Sequence, residues 1–335
     1  MALCLFACAL LSTSAGPSGF ISPLKVVKII SARLMPGIQT SPQRGELSFA
    51  EQQLVVWNLR LPRVIVAILV GAALSVAGAL MQTLFQNALA EPYLVGTSSG
   101  AALGGVTSLI LGGNFEGWAG NQTALCAFAG ALFSLALVCF LANDFSSELM
   151  SSLLLTGIAL GGVLSAITSF LLLQSELAMM RSALSWMMGS LAYLDWEQVM
   201  ILLPYVAVGI SIAMAWHREL DLLAIGSESA HHSGIPVKLT RALLLIAASL
   251  LAAVSVAFCG IIAFVGLMVP HFARMFVGPR HSALLPGCVL GGGLLLLGAD
   301  TLARVLLQNQ EIPIGIVTSI LGGCFFIYLI RRQVA

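Results

Sequence analysis

Residues 260–274, with the sequence GIIAFVGLMVPHFAR, place one proline, one histidine and one arginine in an otherwise apolar run. Part of this pattern has a counterpart earlier in the chain, because Arg63 and Pro92 are matched by Arg241 and Pro270, each 178 residues later. In both copies a basic residue opens a long apolar helix and a proline lies in the turn that follows. Duplicated helix sets are a common way to build a membrane transporter. The stretch therefore predicts a weak internal repeat.

The composition indicates a protein that folds in a membrane. Charged residues make up 9% of the chain and apolar residues 59%, with a mean hydropathy of +1.01. A soluble domain carries about a quarter charged residues, and a helix needs about 20 apolar residues to cross the hydrocarbon. Stretches without Asp, Glu, Lys or Arg cover 64–90, 92–115, 117–143, 149–175, 198–217, 242–273, 281–299 and 313–330. We predict an all-α polytopic membrane protein, because helices satisfy their own backbone polar groups in lipid and the alternating strands of a barrel are absent from the sequence pattern.

About ten spans are predicted, in a single transmembrane domain that covers residues 1–335. The first is short, and we interpret it as a helix that is truncated at its start, because no basic segment precedes it as in a signal peptide. Helices 2–5 and 7–10 form the two repeats, which are inverted because an odd number of spans separates them. The predicted limits are 1–15, 59–84, 93–112, 120–142, 149–173, 197–216, 238–258, 261–278, 283–305 and 313–331.

Charge does not settle the orientation, because Lys and Arg divide almost evenly between the two sides. The basic patch near Arg60 and Arg63 suits an acidic docking partner on the outer side, and snorkelling at the membrane interface explains it equally well. The longest polar segment on the inner side is 217–241, which exceeds an ordinary helix connection. We predict a short helix there that docks a cytoplasmic protein; the alternative is a plain connecting loop.

Chemistry of its own is not expected of this chain. No GxxxxGK[ST] phosphate loop is present, so ATP hydrolysis by that route is excluded. Asp300 lies four residues before Arg304, where an ion pair along the helix explains it better than a proton relay. The seven cysteines lack metal-ligand spacing and are predicted to be small buried apolar residues. We therefore predict no enzyme activity, no cofactor and no metal site.

Several blocks together resemble the permease subunits of binding-protein-dependent ABC importers for iron-siderophores, haem and cobalamin, the vitamin B12 permease-like family. The resemblance runs from about residue 45 to the C-terminus. Its blocks are LRLPR (59–63), QNALAEPYLVGTSSGAA (86–102), LLLTGIALGG (153–162), WMMGSLAYLDW (186–196), GIIAFVGLMVPHFAR (260–274), ADTLAR (299–304) and EIPIGIVTSILGG (311–323). Two positions depart from the family, since Ala88 and Cys324 stand where it has proline.

The resemblance implies a set of partners. The family's permease has ten helices per subunit and works as two subunits above two ABC ATPases, so a homodimer is expected here. A periplasmic or lipid-anchored substrate-binding protein delivers the cargo, and the complex lies in the bilayer of the bacterial inner membrane. No nucleic acid is involved.

The resemblance also implies residue roles. Docking of the binding protein is expected at Arg60, Arg63 and Arg304, and the cytoplasmic gate at Asn87, Leu89, Met150 and Ser151. Contact with the ATPase is expected at Leu223, Ile225, Gly226, Ala230, Ser233 and Gly234. Structural positions of the family motifs are Pro92, Gly96, Gly100, Gly266, Pro270, His271, Arg274, Glu311, Pro313 and Gly315.

The function implied is import of a ferric siderophore or related metal chelate, the commonest cargo of the family. The same importer type carrying cobalamin or haem is the alternative. An ion-coupled secondary transporter with inverted repeats is a remoter one, and it predicts that replacement of Asp300 abolishes dependence on a proton or sodium gradient. A membrane protein that only assembles others predicts no uptake defect when the chain is deleted.

Overall fold

The computed structural model describes residues 1–14, 21–34, 49–111, 122–142, 150–192, 194–306 and 311–334, and its regular structure in these ranges is helical. A π-helical stretch, Val55–Arg60, joins α3 to α4. The helices are α1 (Ala2–Ser14), α2 (Pro23–Leu34), α3 (Phe49–Leu54), α4 (Leu61–Leu84), α5 (Thr97–Leu111), α6 (Gln122–Ala142), α7 (Met150–Gln174), α8 (Leu177–Met187), α9 (Trp196–Ala215), α10 (His217–Ile225), α11 (Ser227–His232), α12 (Val237–Cys259), α13 (Val265–Val277), α14 (His281–Val305) and α15 (Ile314–Val334).

Ten of these helices coincide with the ten predicted spans. Six are long and apolar enough to cross a membrane: α4 with the segment before it, α6, α7, α9, α12 and α14. Four more, α1, α5, α13 and α15, are apolar and shorter. The prediction of an all-α polytopic membrane protein with about ten helices is confirmed.

Two short helices begin later than predicted because the chain turns first. The helix expected from residue 93 begins at Thr97, after Gly96 with a φ of +80°. The helix expected from residue 261 begins at Val265, after Gly260 and Phe264 with φ of +69° and +68°. A left-handed φ ends a regular helix, and glycine adopts it at little cost.

Within the described ranges, five shorter helices lie outside the ten predicted spans, and one of them, α3, leads into α4 through the π-helical stretch. The segment 217–241 holds α10 and α11, so the short helix predicted there is present and a second one follows it. The helices α2 and α8 were not predicted. Each is amphipathic and has 11 or 12 residues, which is too short to give the apolar run by which a span is identified.

Helix α4 is the centre of the subunit and is buried along most of its length. Two of its glycines let neighbouring backbones approach closely. A Cβ atom on Gly71 would lie 2.2 Å from the carbonyl oxygen of Gly292 on α14, and one on Gly78 would lie 1.9 Å from that of Gly266 on α13. Small residues at such contacts are how membrane helices pack, because lipid offers no hydrophobic drive between them.

The two predicted repeats make equivalent helix contacts. In the repeat, α4, α5 and α6 correspond to α12, α13 and α14. Helix α4 packs against α14, and its counterpart α12 packs against α6. In the same way α5 packs against α6, and α13 packs against α14. The end of α4 lies beside α10, where the Gln86 side chain reaches Leu223. The start of α12 is at the same end, because Arg241 contacts Ser227. The two helices therefore run in opposite directions, as an inverted repeat requires.

The cysteines do not all follow the prediction that they are buried. Cys259 and Cys288 are buried, whereas Cys4 and Cys324 are exposed and Cys8, Cys126 and Cys139 are half-buried. All seven are free thiols. An apolar run in a membrane protein marks a lipid-facing surface as readily as an interior, which is why sequence pattern alone did not separate them.

The backbone contact between α4 and α14 gives a stability prediction. Replacing Gly292→Ala puts a methyl group 2.1 Å from the carbonyl oxygen of Gly71, so we expect a loss of about 1–3 kcal/mol from overpacking. The matched control is Gly298→Ala on the same helix, where a Cβ meets nothing within 4 Å. Thermal melting of the purified protein in detergent should show a lower Tm for the first variant alone. Equal Tm values for the two variants would contradict the close contact.

Candidate functional site

A cluster of ion pairs centred on Asp300 closes one end of the subunit. Arg63 donates to Asp300 Oδ1 from Nε at 3.0 Å and from Nη2 at 2.8 Å, and to Glu311 Oε1 from Nη1 at 3.0 Å. Arg304 Nε lies 3.0 Å from Asp300 Oδ2, which confirms the ion pair expected from their spacing. The Asp300 side chain is 1% exposed. A carboxylate buried this deeply is tolerated because two guanidinium groups compensate its charge.

The other side of the cluster is formed by the C-terminal end of α1. Arg60 Nη1 donates to the carbonyl oxygens of Thr13 and Ser14 at 3.0 and 2.8 Å. Arg304 Nη2 donates to Ser12 Oγ at 2.6 Å and to its carbonyl oxygen at 3.3 Å. The last carbonyls of a helix lack partners within it and carry partial negative charge, so cations at this position are favourable. The two arginines thereby attach α1 to α4 and α14.

These contacts bear on the residues predicted to dock a binding protein. Arg60 and Arg304 are buried in the subunit, and their guanidinium groups are bonded to α1. Arg63 and its partner Glu311 reach the surface, with side chains that are 14% and 33% exposed. The structure brings all three arginines to one end of the subunit and leaves the Arg63 side chain the most exposed of them. Their role in docking stays a prediction.

The 260–274 motif is anchored to α4 by Gln82, a residue that the sequence analysis missed. Pro270 has no N–H, so the carbonyl oxygen of Gly266 loses its usual helical partner. The Gln82 amide donates to the carbonyl oxygens of Gly266 and Leu267 at 3.4 and 3.3 Å, and Arg274 Nη1 donates to Gln82 Oε1. The proline and the arginine of the motif thus share one partner on α4. The signal in the sequence was an amide side chain within the apolar run 64–90.

The turn before α13 meets the turn before α5, so the two halves of the repeat touch through their corresponding motifs. Glu91 Oε1 accepts from the backbone N–H of Phe264 at 3.1 Å, and the Tyr93 hydroxyl donates to the carbonyl oxygen of Ile262 at 3.1 Å. A Cβ on Gly266 would lie 2.7 Å from Pro92 Cδ. Burial raises the pKa of the Glu91 carboxyl above its usual value, and the bond from Phe264 opposes that shift.

The remaining motif residues serve packing. Gly96 accepts a bond from Ser134 Oγ at 2.9 Å, and Gly100 lies against Gly130 of α6. The His271 ring packs against Phe272 and Phe325. At the start of α15, which follows Pro313, Gly315 N–H donates to the carbonyl oxygen of Met188 at 3.1 Å. The 186–196 block is thereby joined to α15.

The predicted gate residues lie at the opposite end of α4 from the ion cluster. Asn87 and Leu89 are exposed in the turn after α4, and Asn87 Oδ1 accepts from Leu89 N–H at 2.9 Å. Ala88 is exposed in the same turn, which the Asn87 side chain shapes without the family's proline. Met150 is buried at the start of α7. Ser151 follows it on that helix, and its side chain lies outside the described part of the structure.

The predicted ATPase contacts divide into buried and exposed groups. Leu223 and Ala230 are 2% and 0% exposed, so they pack within the subunit and a partner cannot reach them in this conformation. Ile225, Ser233 and Gly234 are exposed, and Gly226 is half-buried between α10 and α11. An amphipathic helix that lies on its own subunit buries one face and presents the other.

The buried ion cluster gives a second prediction. Asp300→Ala removes the carboxylate that neutralises Arg63 and Arg304, and a buried pair broken on one side costs about 3–5 kcal/mol. We expect a large fall in Tm of the purified protein. The control is Glu311→Gln, whose partly exposed side chain makes a single contact with Arg63, so its loss should be much smaller. A small effect of Asp300→Ala would show that the charges are not interdependent.

The chain is similar to curated proteins over most of its length. It is 43% identical over 291 residues to the vitamin B12 import system permease protein BtuC of Salmonella typhi, which covers 86% of this chain and 87% of that protein. It is 41% identical over 313 residues to the BtuC of Klebsiella pneumoniae subsp. pneumoniae, which covers 92% and 91%.

A solved structure has the same fold. It is described as an inward-facing conformation of a metal-chelate type ABC transporter, and it covers 99% of this chain and 97% of its own, with 31% identity and a TM-score of 0.83. The sequence profile of the FecCD transport family matches residues 4–332. The match spans nearly the whole chain, which therefore belongs to the FecCD transport family and is a permease of the ABC importer type.

Proposed function

We propose that this chain is the transmembrane subunit of an importer that passes cobalamin across the bacterial inner membrane. The observation that carries this cargo is the 43% identity, over 86% of the chain, to a permease named for vitamin B12. It favours the cobalamin alternative over the ferric siderophore expected from the sequence. The chain itself supplies the conduit, and ATP hydrolysis belongs to separate partner subunits.

A second copy of the chain completes the conduit. The buried positions Leu153, Gly157, Leu164 and Thr168 share one face of α7, while Leu155, Val163 and other residues of the opposite face are exposed. Helix α15 likewise exposes Ile316, Ile320 and Tyr328. Apolar faces of this extent are covered either by lipid or by another helix surface. We assign them to a homodimer whose two subunits enclose the path, which matches the architecture implied by the family resemblance.

The binding protein docks at the end that carries the ion cluster. Arg63 is the most accessible of the three arginines there, and its bond to the partly exposed Glu311 can be exchanged for one to an acidic side chain of the partner. Arg60 and Arg304 lie buried beside Arg63 and stabilise this surface, because their hydrogen bonds attach the end of α1 to it.

The ATPase binds at the other end, on the exposed side of α10 and α11. Ile225 is 73% exposed beside Gly226, whose φ of +152° lets the chain pass directly from α10 into α11. An exposed apolar side chain at such a corner suits insertion into a groove on a partner. Movement of this corner during the ATP cycle would reposition the gate formed by the turn at Asn87 and Leu89 and by the start of α7.

Uptake of labelled cargo tests the proposed function. Cells with and without the chain are given cyanocobalamin, a ferric siderophore and haem separately, each with vanadate or with a protonophore. We expect loss of cobalamin uptake alone when the chain is deleted, and inhibition by vanadate because the energy comes from ATP.

Spheroplasts supplied with the binding protein serve as the control, since cargo that must first cross an energised outer membrane is sensitive to a protonophore for that reason alone. Vanadate-sensitive uptake of the siderophore or of haem would keep the importer and change its cargo. Uptake in spheroplasts that ignores vanadate and collapses with the proton gradient would contradict the importer. In that event replacement of Asp300 would test the ion-coupled alternative.

The ATPase surface has its own test. Ile225→Asp places a charge on the exposed corner, and we expect the ATPase subunit to be lost from the purified complex because the apolar contact is replaced by an unpaired carboxylate. The matched control is Leu24→Asp on α2, which is 76% exposed and lies by α1 near the ion cluster. Retention of the ATPase by the Ile225 variant, measured by copurification, would remove this corner from the interface.

A further inference from the structure

Helix α10 is joined to the start of α14 through a single carboxylate. Asp221 Oδ1 on α10 accepts from the backbone N–H of His281 at 2.8 Å and from its ring Nδ1 at 2.7 Å. The first N–H groups of a helix lack partners within it, and the partial positive charge there favours an anion. Asp221 therefore acts as the N-terminal cap of α14, although it comes from a helix 60 residues away in sequence.

The His281 ring extends this connection to the last turn of α4. Its Nε2 lies 2.8 Å from the hydroxyl oxygen of Thr83. In a neutral imidazole whose Nδ1–H donates to the Asp221 carboxylate, Nε2 has a free lone pair for the Thr83 hydroxyl proton. The carbonyl oxygen of Ala79, 3.0 Å from the Thr83 hydroxyl oxygen, is the competing acceptor for that proton. His281 and Thr83 are 2% and 5% exposed, so water does not compete for this bond. Three helices thus meet in one continuous chain of hydrogen bonds.

A second connection joins α10 directly to the turn that holds the gate residues. The Gln86 side chain donates to the carbonyl oxygen of Leu223 on α10 at 3.1 Å. Gln86 itself has a φ of +47°, which ends α4, and the next residue, Asn87, donates its N–H to the carbonyl oxygen of Gln82 at 3.1 Å. The turn is therefore attached to α10 on one side and to α4 on the other.

Packing makes these connections stiff. Leu220 and Leu223 on the inner face of α10 are both buried in the core of the subunit. A buried, close-packed side chain transmits displacement to its neighbours because no void is present to absorb it. Through these contacts α10 is held to the start of α14 and to the end of α4.

We infer that Asp221, His281, Thr83 and Gln86 are positioning residues for transport: they form the linkage that passes movement of α10 to the gate turn 85–90. The inference rests on the proposed function, in which α10 receives the motion of the ATPase. It assigns a role to four polar residues that are absent from the predicted docking, gate, coupling and structural positions, although Gln86 opens the family block 86–102. Loss of the linkage should uncouple ATP hydrolysis from import while leaving the complex assembled.

The test measures cargo imported per ATP hydrolysed by the full complex of permease, ATPase and binding protein in liposomes, with labelled cyanocobalamin as the probe. Thr83→Val removes the hydroxyl and keeps the shape of the side chain. We expect the ratio to fall by about fivefold, which corresponds to the loss of one buried hydrogen bond, while stimulation of ATP hydrolysis by the loaded binding protein persists. Thr83→Ser restores the hydroxyl and should restore the ratio.

The matched control is Thr318→Val, another buried threonine, whose hydroxyl donates to the carbonyl oxygen of Gly315 in its own helix. An equal fall in that variant would assign the effect to packing and overturn the linkage. Gln86→Leu, in an exposed turn, removes the hydrogen bond from Gln86 to the carbonyl oxygen of Leu223. If the Thr83 variant does not assemble, a lower ratio of import to ATP hydrolysis in the Gln86 variant supports the linkage. An unchanged ratio in the Gln86 variant and in any assembled Thr83 variant also overturns the linkage. Failure of the wild-type complex to import the probe contradicts the proposed cargo instead.

Discussion

The close approach of α4 to α13 and α14 is the contact on which the rest of the subunit depends. At Gly71 and Gly78 the backbones come so near that a single added methyl group has no room. Lipid tails are as apolar as leucine side chains, so helices in a bilayer associate through close packing and hydrogen bonds rather than through hydrophobic drive. Glycine permits close packing because it has no side chain, and it permits hydrogen bonds because the neighbouring helix then lies within reach of polar side chains. Gly78 lies against Gly266, whose carbonyl oxygen accepts from Gln82.

With α4 held in this way, its two ends become the two functional ends of the subunit. Arg63 in its first turn faces the buried carboxylate of Asp300, and Thr83 in its last turn meets His281. A helix is stiff along its axis, and α4 is enclosed by other helices over most of its length. The same element therefore connects the proposed docking surface to the proposed gate. This arrangement explains why polar residues are concentrated at its ends and why its middle is small and apolar.

Much of the fold and part of the site could be predicted from local features of the chain. Apolar stretches identified ten helices, six of which are long enough to cross a membrane, and the positions of Pro92 and Pro270 indicated the repeat whose contacts the structure shows. The spacing of Asp300 and Arg304 was enough to predict their ion pair. The burial of Arg60 and Arg304 could not be foreseen, because it depends on carbonyl groups at the end of α1, more than 40 residues away. Helix α2 was missed because it is amphipathic, and its polar residues interrupt the apolar run by which the other helices were identified.

The sequence by itself determined that the protein folds in a membrane, that it is helical, which family it belongs to and roughly where each span lies. These properties follow from composition and from motifs within one stretch of chain. Only the tertiary structure decided which polar groups are partners. Arg63 meets Asp300 across 237 residues and His281 meets Asp221 across 60. A buried polar group must find a partner, but the partner's identity depends on which helices pack together, and that is a property of the whole chain.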